Sequence, residues 1–517
     1  MSTAEVTSTE SRSMRFALKA FDAIERVGNK IPNPFWLFCI LALVVIILSA
    51  ILQGAGISAI NPASGDLVQV RSLLSKEGLE IIVGKAVSNF AQFPPMATIV
   101  VVLLGIAIAQ RSGLIDNLLH RLVARVPGKY LTFAVAMAGM VSHVADDAAY
   151  MTLIPIGALV FKAAGRSPVL GIVVTYVSIS AGYDASPVIT VTDVLLSGIT
   201  TAAAQTLDPA YVVTPLSNYF FSLGSSILIA LVITVIVETL ISRRPELQAD
   251  AASDALDGKD AARMVPSARE KKALRITGIV GLASAVLLTL AVLPVNSPLR
   301  GEGGSIVNSV LFSGMAFIIG LLFAVLGATY GFVSGNFTKA SDVIAGMIEG
   351  TKTLAPILVL FFAISQFLAY FKWTKLGEVL AISGAEWLGH INAPGWAILL
   401  GIAVLITFMN FIITSGSGLW ALAAPVFVPM LMLLDINPET TQAIYRVADS
   451  VTNCVTPMSP YFIMALGFIQ QYRKDAGIGT LASYTIPISA VIWVVWVGFF
   501  MLWYALGVPL GPGVPSS

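Results

Sequence analysis

Apolar stretches of bilayer-spanning length recur along this 517-residue chain, and nothing constrains its fold more. A hydrocarbon core of about 30 Å takes about 20 helical residues. Residues 35–52, 94–110, 216–241, 274–293, 306–327, 353–370 and 484–506 are apolar over close to that length. Two longer stretches, 168–201 and 438–472, carry internal breaks. Within lipid a backbone must satisfy its own polar groups, so such runs read as helices. The chain therefore reads as an all-α polytopic membrane protein. Composition agrees: charged residues make up 11 %, against roughly 25 % in soluble proteins, and the mean hydropathy is +0.86. A net charge of +1 argues against nucleic acid as a partner, and 56 % hydrophobic residues argue against disorder. Segments 1–34 and 243–275 hold 9 and 14 of the 59 charges. Residues 1–34 read as a cytoplasmic N-terminal segment and 243–273 as a cytoplasmic linker. Cys39 and Cys454 lie in apolar stretches and read as small core residues. No small-residue cleavage site follows the first apolar run, so no signal peptide is expected.

Four apolar stretches are too short to cross. Residues 130–143 and 150–164 flank Ser142-His143-Val144-Ala145-Asp146-Asp147. Each arm rises only about 21 Å as a helix. The same shape recurs at 396–410 and 420–434, around Thr414-Ser415-Gly416-Ser417-Gly418. Two short helices joined at a small polar tip read as a re-entrant hairpin, tolerated at membrane depth where it lines a cavity or is buried in protein. The expectation is nine transmembrane helices plus two re-entrant hairpins. With the N-terminus cytoplasmic, inner loops hold 23 Lys and Arg and outer loops six, and Arg446 lies within the membrane. This split follows the positive-inside rule and puts the C-terminus outside.

Prolines reveal an internal repeat. Pro155, Pro168 and Pro187 return as Pro425, Pro438 and Pro457, each 270 residues on. Ser180 matches Ser450 and the aromatic Tyr150 matches Trp420. The first half, 35–242, has its hairpin at 130–164 and a broken helix at 168–203. The second, 274–517, has its hairpin at 396–434 and a broken helix at 438–471. The halves enter from opposite sides, an inverted repeat of the kind that builds secondary transporters. Pro187 and Pro457 break the long helices by removing a donor and crowding the preceding turn. The freed carbonyls and half-helix ends can bind a cation or an anionic group.

Charges at membrane depth are costly and read as functional. They are Asp146, Asp147, Asp184, Asp193, Arg446 and Asp449. Arg446, Asp449 and Asn453 share one helix face by spacing. Arg446 suits a carboxylate, bidentately. Asp449 and Asn453 offer oxygens to a small hard cation. The alternative is an Arg446–Asp449 ion pair that only closes the bundle. Trp420, just past Ser415 and Ser417, offers a face to a ring-bearing substrate, or else anchors at the membrane interface. Asp193 reads substrate or takes a proton, or makes a helix-to-helix hydrogen bond. His143 is a satisfied polar residue or a proton carrier. Neither a phosphate-binding Gly loop nor zinc-ligand spacing is present, and the chain does not read as an enzyme.

The stretch Asn410-Phe-Ile-Ile-Thr-Ser-Gly-Ser-Gly-Leu-Trp420 resembles the second hairpin of the p-aminobenzoyl-glutamate transporter (AbgT) family. So does Arg446-Val-Ala-Asp449-Ser-Val-Thr-Asn453-Cys-Val-Thr-Pro457-Met, and the likeness extends to Tyr472-Arg-Lys-Asp-Ala-Gly and to Asp193-Val-Leu-Leu-Ser-Gly in the first half. The resemblance implies a homodimer with an aqueous basin, nine spans and two hairpins per subunit. It implies transport of p-aminobenzoyl-glutamate or related folate catabolites and, in some members, export of sulfonamide antimetabolites. Carried over by position, it implies substrate and transport residues at Asp193, Ser417, Trp420, Pro438, Arg446, Asp449 and Pro457. It implies a sodium site at Asn410, Asp449 and Asn453. The first half departs from the family pattern: Ser142-His143 stands where members have Ser-Asn, and Asp184-Ala185-Ser186 where they have Ser-Ala-Asn. Protonatable groups there (His143, Asp146, Asp147, Asp184) are expected to share in ion coupling.

The reading is an ion-coupled secondary transporter of an aromatic carboxylate in a bacterial inner membrane. It needs no cofactor beyond sodium or a proton as coupling ion. Two alternatives remain: a dicarboxylate or other organic-anion symporter of the same superfamily, and, further off, a membrane-embedded enzyme.

Overall fold

A computed structural model describes residues 34–60, 65–123, 128–145, 148–247, 267–305, 309–390 and 393–516. The chain is almost entirely helical. Pro34–Gly54 (α1) leads to a small antiparallel ribbon, Ser58–Ile60 (β1) with Leu67–Gln69 (β2), then Pro94–Arg111 (α2) and Leu114–Val123 (α3). The first half continues through Leu131–Ser142 (α4), Ala148–Ala163 (α5), Pro168–Ala181 (α6), Val191–Ala204 (α7) and Tyr219–Ile236 (α8). The second half holds Ala268–Val292 (α9), Met315–Ser334 (α10), Ala340–Trp373 (α11), Leu376–His390 (α12), Gly395–Asn410 (α13), Gly416–Met432 (α14), Pro438–Thr452 (α15), Pro460–Gln470 (α16) and Ile478–Ala505 (α17). Seven of the described helices are long and apolar enough to cross a membrane: α1, α2, α8, α9, α10, α17 and the part of α11 from Leu354 onward.

Several boundaries differ from the sequence expectation, for local reasons. The span expected at 306–327 is α10, displaced toward the C-terminus. Arg300 stops α9 by donating to the carbonyls of Val292 (2.7 Å) and Leu293 (3.0 Å), so the chain turns before α10 begins. The stretch 353–370 is the apolar part of the 34-residue α11. That helix starts early because Asp342 Oδ2 accepts from the Thr338 and Lys339 N–H groups at 2.7 and 3.0 Å. Those bonds favour the carboxylate form and hold Asp342 below its usual pKa. The end of the expected linker is helical, since Ser267 and Glu270 form a capping box that begins α9. Helix α12 went unexpected, because Glu378, Glu386 and His390 interrupt its apolar pattern. Most of the N-terminal segment, the middle of the linker (248–266) and the pair Asp146 and Asp147 lie outside the described residues.

Helices without a hydrophobic drive between them pack where small residues let backbones approach. A Cβ on Gly105 of α2 would sit 1.9 Å from the Gly320 carbonyl oxygen of α10, so neither helix tolerates a side chain there. The core beside this frame is built from the short helices, and its packing is reciprocal. Within each half a hairpin arm lies on the broken helix, α5 on α6 and α13 on α15. Between halves, α7 lies on α14 and α16 on α5.

Loops gather at the two ends of the bundle. Near the end of α8, Arg166 pairs with Glu238 at 2.9 Å and Arg244 donates to the Ser483 carbonyl at 2.8 Å. Near its start, the Phe220 N–H meets the Leu510 carbonyl at 2.9 Å. There too Thr440 Oγ1 donates to the Ser516 carbonyl at 2.8 Å. The first group joins loops that the charge count puts inside, the second loops that it puts outside.

Candidate functional site

Both long helices are interrupted in the core. Residues 182–190 separate α6 from α7, and 453–459 separate α15 from α16. Pro187 and Pro457 lie in these irregular segments, while Pro438 is the first residue of α15. The start of α7 is fixed by its own side chains: Asp193 Oδ2 accepts from the Thr190 N–H at 2.7 Å and its hydroxyl at 2.9 Å. The other oxygen, Oδ1, lies 2.8 Å from Arg446 Nη1, across the boundary between halves. Asp184 Oδ1 lies 4.0 Å from the same nitrogen, and the Asp184 N–H donates to Ser450 Oγ at 3.1 Å. Arg446, only 2 % exposed, therefore ties the second broken helix to the irregular segment of the first.

The alternative reading, an Arg446–Asp449 ion pair on one helix face, is not what the structure shows. Arg446 and Asp449 are three residues apart, but the guanidinium reaches over to Asp193 and Asp184 instead. Spacing fixes which residues share a face, not which neighbour a long side chain meets. Asp193 is committed to a helix cap and an ion pair rather than facing open space.

Asp449 is fully buried beside the Tyr445 hydroxyl, which donates to the Gly416 carbonyl, and neither carboxylate oxygen has a hydrogen bond of ordinary geometry. It lies against the second tip: a Cβ on Gly416 would fall 2.9 Å from Asp449 Oδ2. Beside it, Asn410 at the end of α13 points its amide nitrogen at the Asp449 carbonyl, at Thr452 Oγ1 (2.8 Å) and at Asn453 Oδ1 (2.9 Å). Three acceptors thus converge on a group with two protons. Asn410 Oδ1 is buried without a hydrogen-bond partner, and so are both Asp184 carboxylate oxygens, although Oδ1 lies within ion-pair distance of Arg446. Orphaned buried acceptors are costly and rare, and they mark where an ion or water belongs. The surplus of oxygens over donors fits a small hard cation, with Asn410, Asp449 and Asn453 as the residues that would hold it.

Charge balance points the same way. Three buried carboxylates, Asp184, Asp193 and Asp449, share the region with one guanidinium. Among the described residues Arg446 is the one cation paired with any of them.

Next to these acceptors lies a cavity of about 300 Å³. The second tip supplies Thr414, Ser415 and Ser417, the second break supplies Asn453 and Ser459, and Tyr150, Tyr183 and Tyr461 form aromatic walls. Of the residues expected to bind substrate, Ser417 lines it. Trp420 does not: its ring is 0 % exposed, packs 4.4 Å from Tyr445, and donates from Nε1 to Thr200 Oγ1 at 2.9 Å. The expected open face beside Ser415 and Ser417 is closed because α7 lies over α14. His143 is buried, with Nε2 bonded to the Ile179 carbonyl at 2.9 Å. Sequence reasoning missed Tyr183 and Tyr461 as wall residues. The available signal was position, since both sit within or just beyond a break that was recognised.

The fold is that of a polytopic helical membrane protein whose core is made of short and interrupted helices. A sequence model of the "AbgT putative transporter family" matches residues 19–517. The chain is 34 % identical over 497 residues, 96 % of each chain, to the p-aminobenzoyl-glutamate transport protein of Escherichia coli K12. Two solved structures share its fold. The Alcanivorax borkumensis YdaH transporter superposes with a TM-score of 0.87 at 37 % identity, covering 93 % of this chain and all of that one. Neisseria gonorrhoeae MtrF, described with a class of antimetabolite efflux pumps, gives 0.88 at 36 %, covering 96 % and 100 %. This chain belongs to the AbgT transporter family.

Proposed function

We propose that the chain is an ion-coupled secondary transporter of p-aminobenzoyl-glutamate or related aromatic carboxylates, with p-aminobenzoate and sulfonamide antimetabolites as candidate export substrates. The observation that carries ion coupling is the charge imbalance. Three buried carboxylates share the region with one guanidinium, which pairs with Asp193 and Asp184 and not with Asp449, and an isolated buried charge is too costly to leave without a counterion. A sodium ion among Asn410, Asp449 and Asn453 would offset one negative charge, and a proton on a first-half carboxylate another. Half-helix ends and unwound carbonyls beside a substrate cavity are how inverted-repeat transporters pair ion with cargo. The substrate class rests on the Escherichia coli relative and on the aromatic walls of the cavity.

In this reading the two broken helices each complete a crossing, giving nine spans. The pairs α4–α5 and α13–α14 are re-entrant hairpins, and the protein is a homodimer in the bacterial inner membrane with its N-terminus in the cytoplasm. Arg446 would receive a substrate carboxylate when that group displaces Asp193 or Asp184. Pro438 opens the second broken helix and Pro457 lies in its break.

The test is uptake of labelled p-aminobenzoyl-glutamate and p-aminobenzoate into proteoliposomes, with sodium and proton gradients imposed separately. Saturable flux driven by either gradient is expected. Flux indifferent to both gradients would overturn ion coupling, and no flux of either compound would overturn the substrate class.

A further inference from the structure

We propose that the cavity at the second tip is the aryl subsite of the transport site, and that its tyrosines, not Trp420, hold the substrate ring. The inference rests on the aromatic-carboxylate reading above and adds where, and by which groups, the cargo is recognised.

Tyr150 comes from the first half and Tyr461 from the second. Their rings stack with centroids 4.0 Å apart and planes 5° from parallel. The stacked pair bridges the boundary between halves, and both residues line the cavity. Tyr183, from the first break, is another wall, and it approaches the tip closely: a Cβ on Gly416 would lie 3.6 Å from its ring. The remaining walls are hydroxyls of Thr414, Ser415, Ser417 and Ser459 and the amide of Asn453. No Lys or Arg is among the lining residues. A volume of about 300 Å³ falls at the lower end for small-molecule sites. Aromatic walls with a hydroxyl rim suit one aryl ring bearing hydrogen-bonding substituents.

The walls also orient that ring. One end of the cavity is the start of the 17-residue α14. There the Ser415 hydroxyl accepts from the Gly418 N–H at 3.3 Å, and the Leu419 N–H goes to the Ser415 carbonyl at 2.7 Å. A hydrogen-bond acceptor on the ring at this end, such as the amide carbonyl of p-aminobenzoyl-glutamate, meets the positive pole of the helix and the Ser417 hydroxyl. Asn453 belongs both to the cavity wall and to the acceptor cluster around Asn410, so ring and ion share a residue. Trp420 becomes a positioning residue. It packs on Tyr445, whose hydroxyl donates to the Gly416 carbonyl at 2.5 Å and so fixes the tip from behind.

The experiment compares full-length wild type, Tyr461→Phe and Tyr461→Leu in proteoliposomes, reading KM and kcat for p-aminobenzoyl-glutamate. Tyr461→Phe should stay within about threefold of wild type in KM. Tyr461→Leu should raise KM about tenfold with kcat largely kept, the size expected for losing one aromatic contact. An unchanged KM in Tyr461→Leu overturns the subsite while leaving transport itself standing. Absence of wild-type uptake instead counts against the substrate class. A second readout covers variants that fail to fold. In a Cys39→Ser background, Thr414→Cys should react with a maleimide more slowly when p-aminobenzoate is bound. Equal rates with and without it overturn the assignment.

Discussion

The two helix breaks share proline spacing but differ in chemistry. In the first, the charges are drawn into cross-half contacts: Asp193 is spent on a helix cap and on Arg446, and Asp184 lies beside the same guanidinium. In the second, acceptors outnumber donors around Asn410, and the carboxylate of Asp449 is unpartnered. One break acts as a clasp between the halves, and the other keeps coordinating capacity in reserve. The contrast teaches that two helices broken near matching prolines can share a backbone shape while their side chains give them different chemistry.

The contrast can be broken most forcefully at the clasp. Arg446→Ala strands two buried carboxylates and should cost about 3–5 kcal/mol, seen as a large drop in thermal stability of the purified protein together with loss of uptake. Adding Asp193→Asn should restore part of the stability and none of the transport. Asp449→Asn probes the other break. Wild type should gain thermal stability as sodium is added, since an ion bound only to the folded state stabilises it. Asp449→Asn should lose that gain and sodium-driven uptake, yet fold at least as well without sodium, because it removes an unpartnered charge. A milder change is Asp184→Asn, which should keep sodium-driven uptake but flatten its dependence on pH. An unaltered pH profile would remove Asp184, which faces Arg446, from the coupling scheme. Smaller again is Gly416→Ala: its methyl group would press on Asp449 Oδ2 and should weaken apparent sodium affinity several-fold. Least of all, Trp420→Phe keeps the ring packing and loses one hydrogen bond, about 1 kcal/mol, with uptake only modestly reduced.

Much of this molecule is legible in its sequence, because lipid enforces simple rules. Apolar length marks the long helices, short arms with polar tips mark the paired ones, and proline spacing marks the breaks. What is legible is proximity: Arg446, Asp449, Asn453, Asp193 and Asp184 lie together in the core. Pairing is what spacing cannot supply. Arg446 could be matched to Asp449 on its own face, whereas the contact with Asp193 needs two helices 253 positions apart to be brought together. Trp420 shows the same limit. Its place beside the tip is readable, but its burial depends on α7, a helix from the other half. Hydropathy also misplaced α10 and passed over α12, where a single arginine cap and scattered charges decide the boundaries.

The exchange of supports between halves has a mechanical corollary. Because α7 rests on α14 and α16 on α5, each of these short helices is supported in part by a helix of the opposite half. In the transporter proposed above, movement of one short-helix pair would therefore be felt by the other half. A carrier built in this way would have a structural reason not to open on both sides at once, which the proposed coupling to an ion gradient requires.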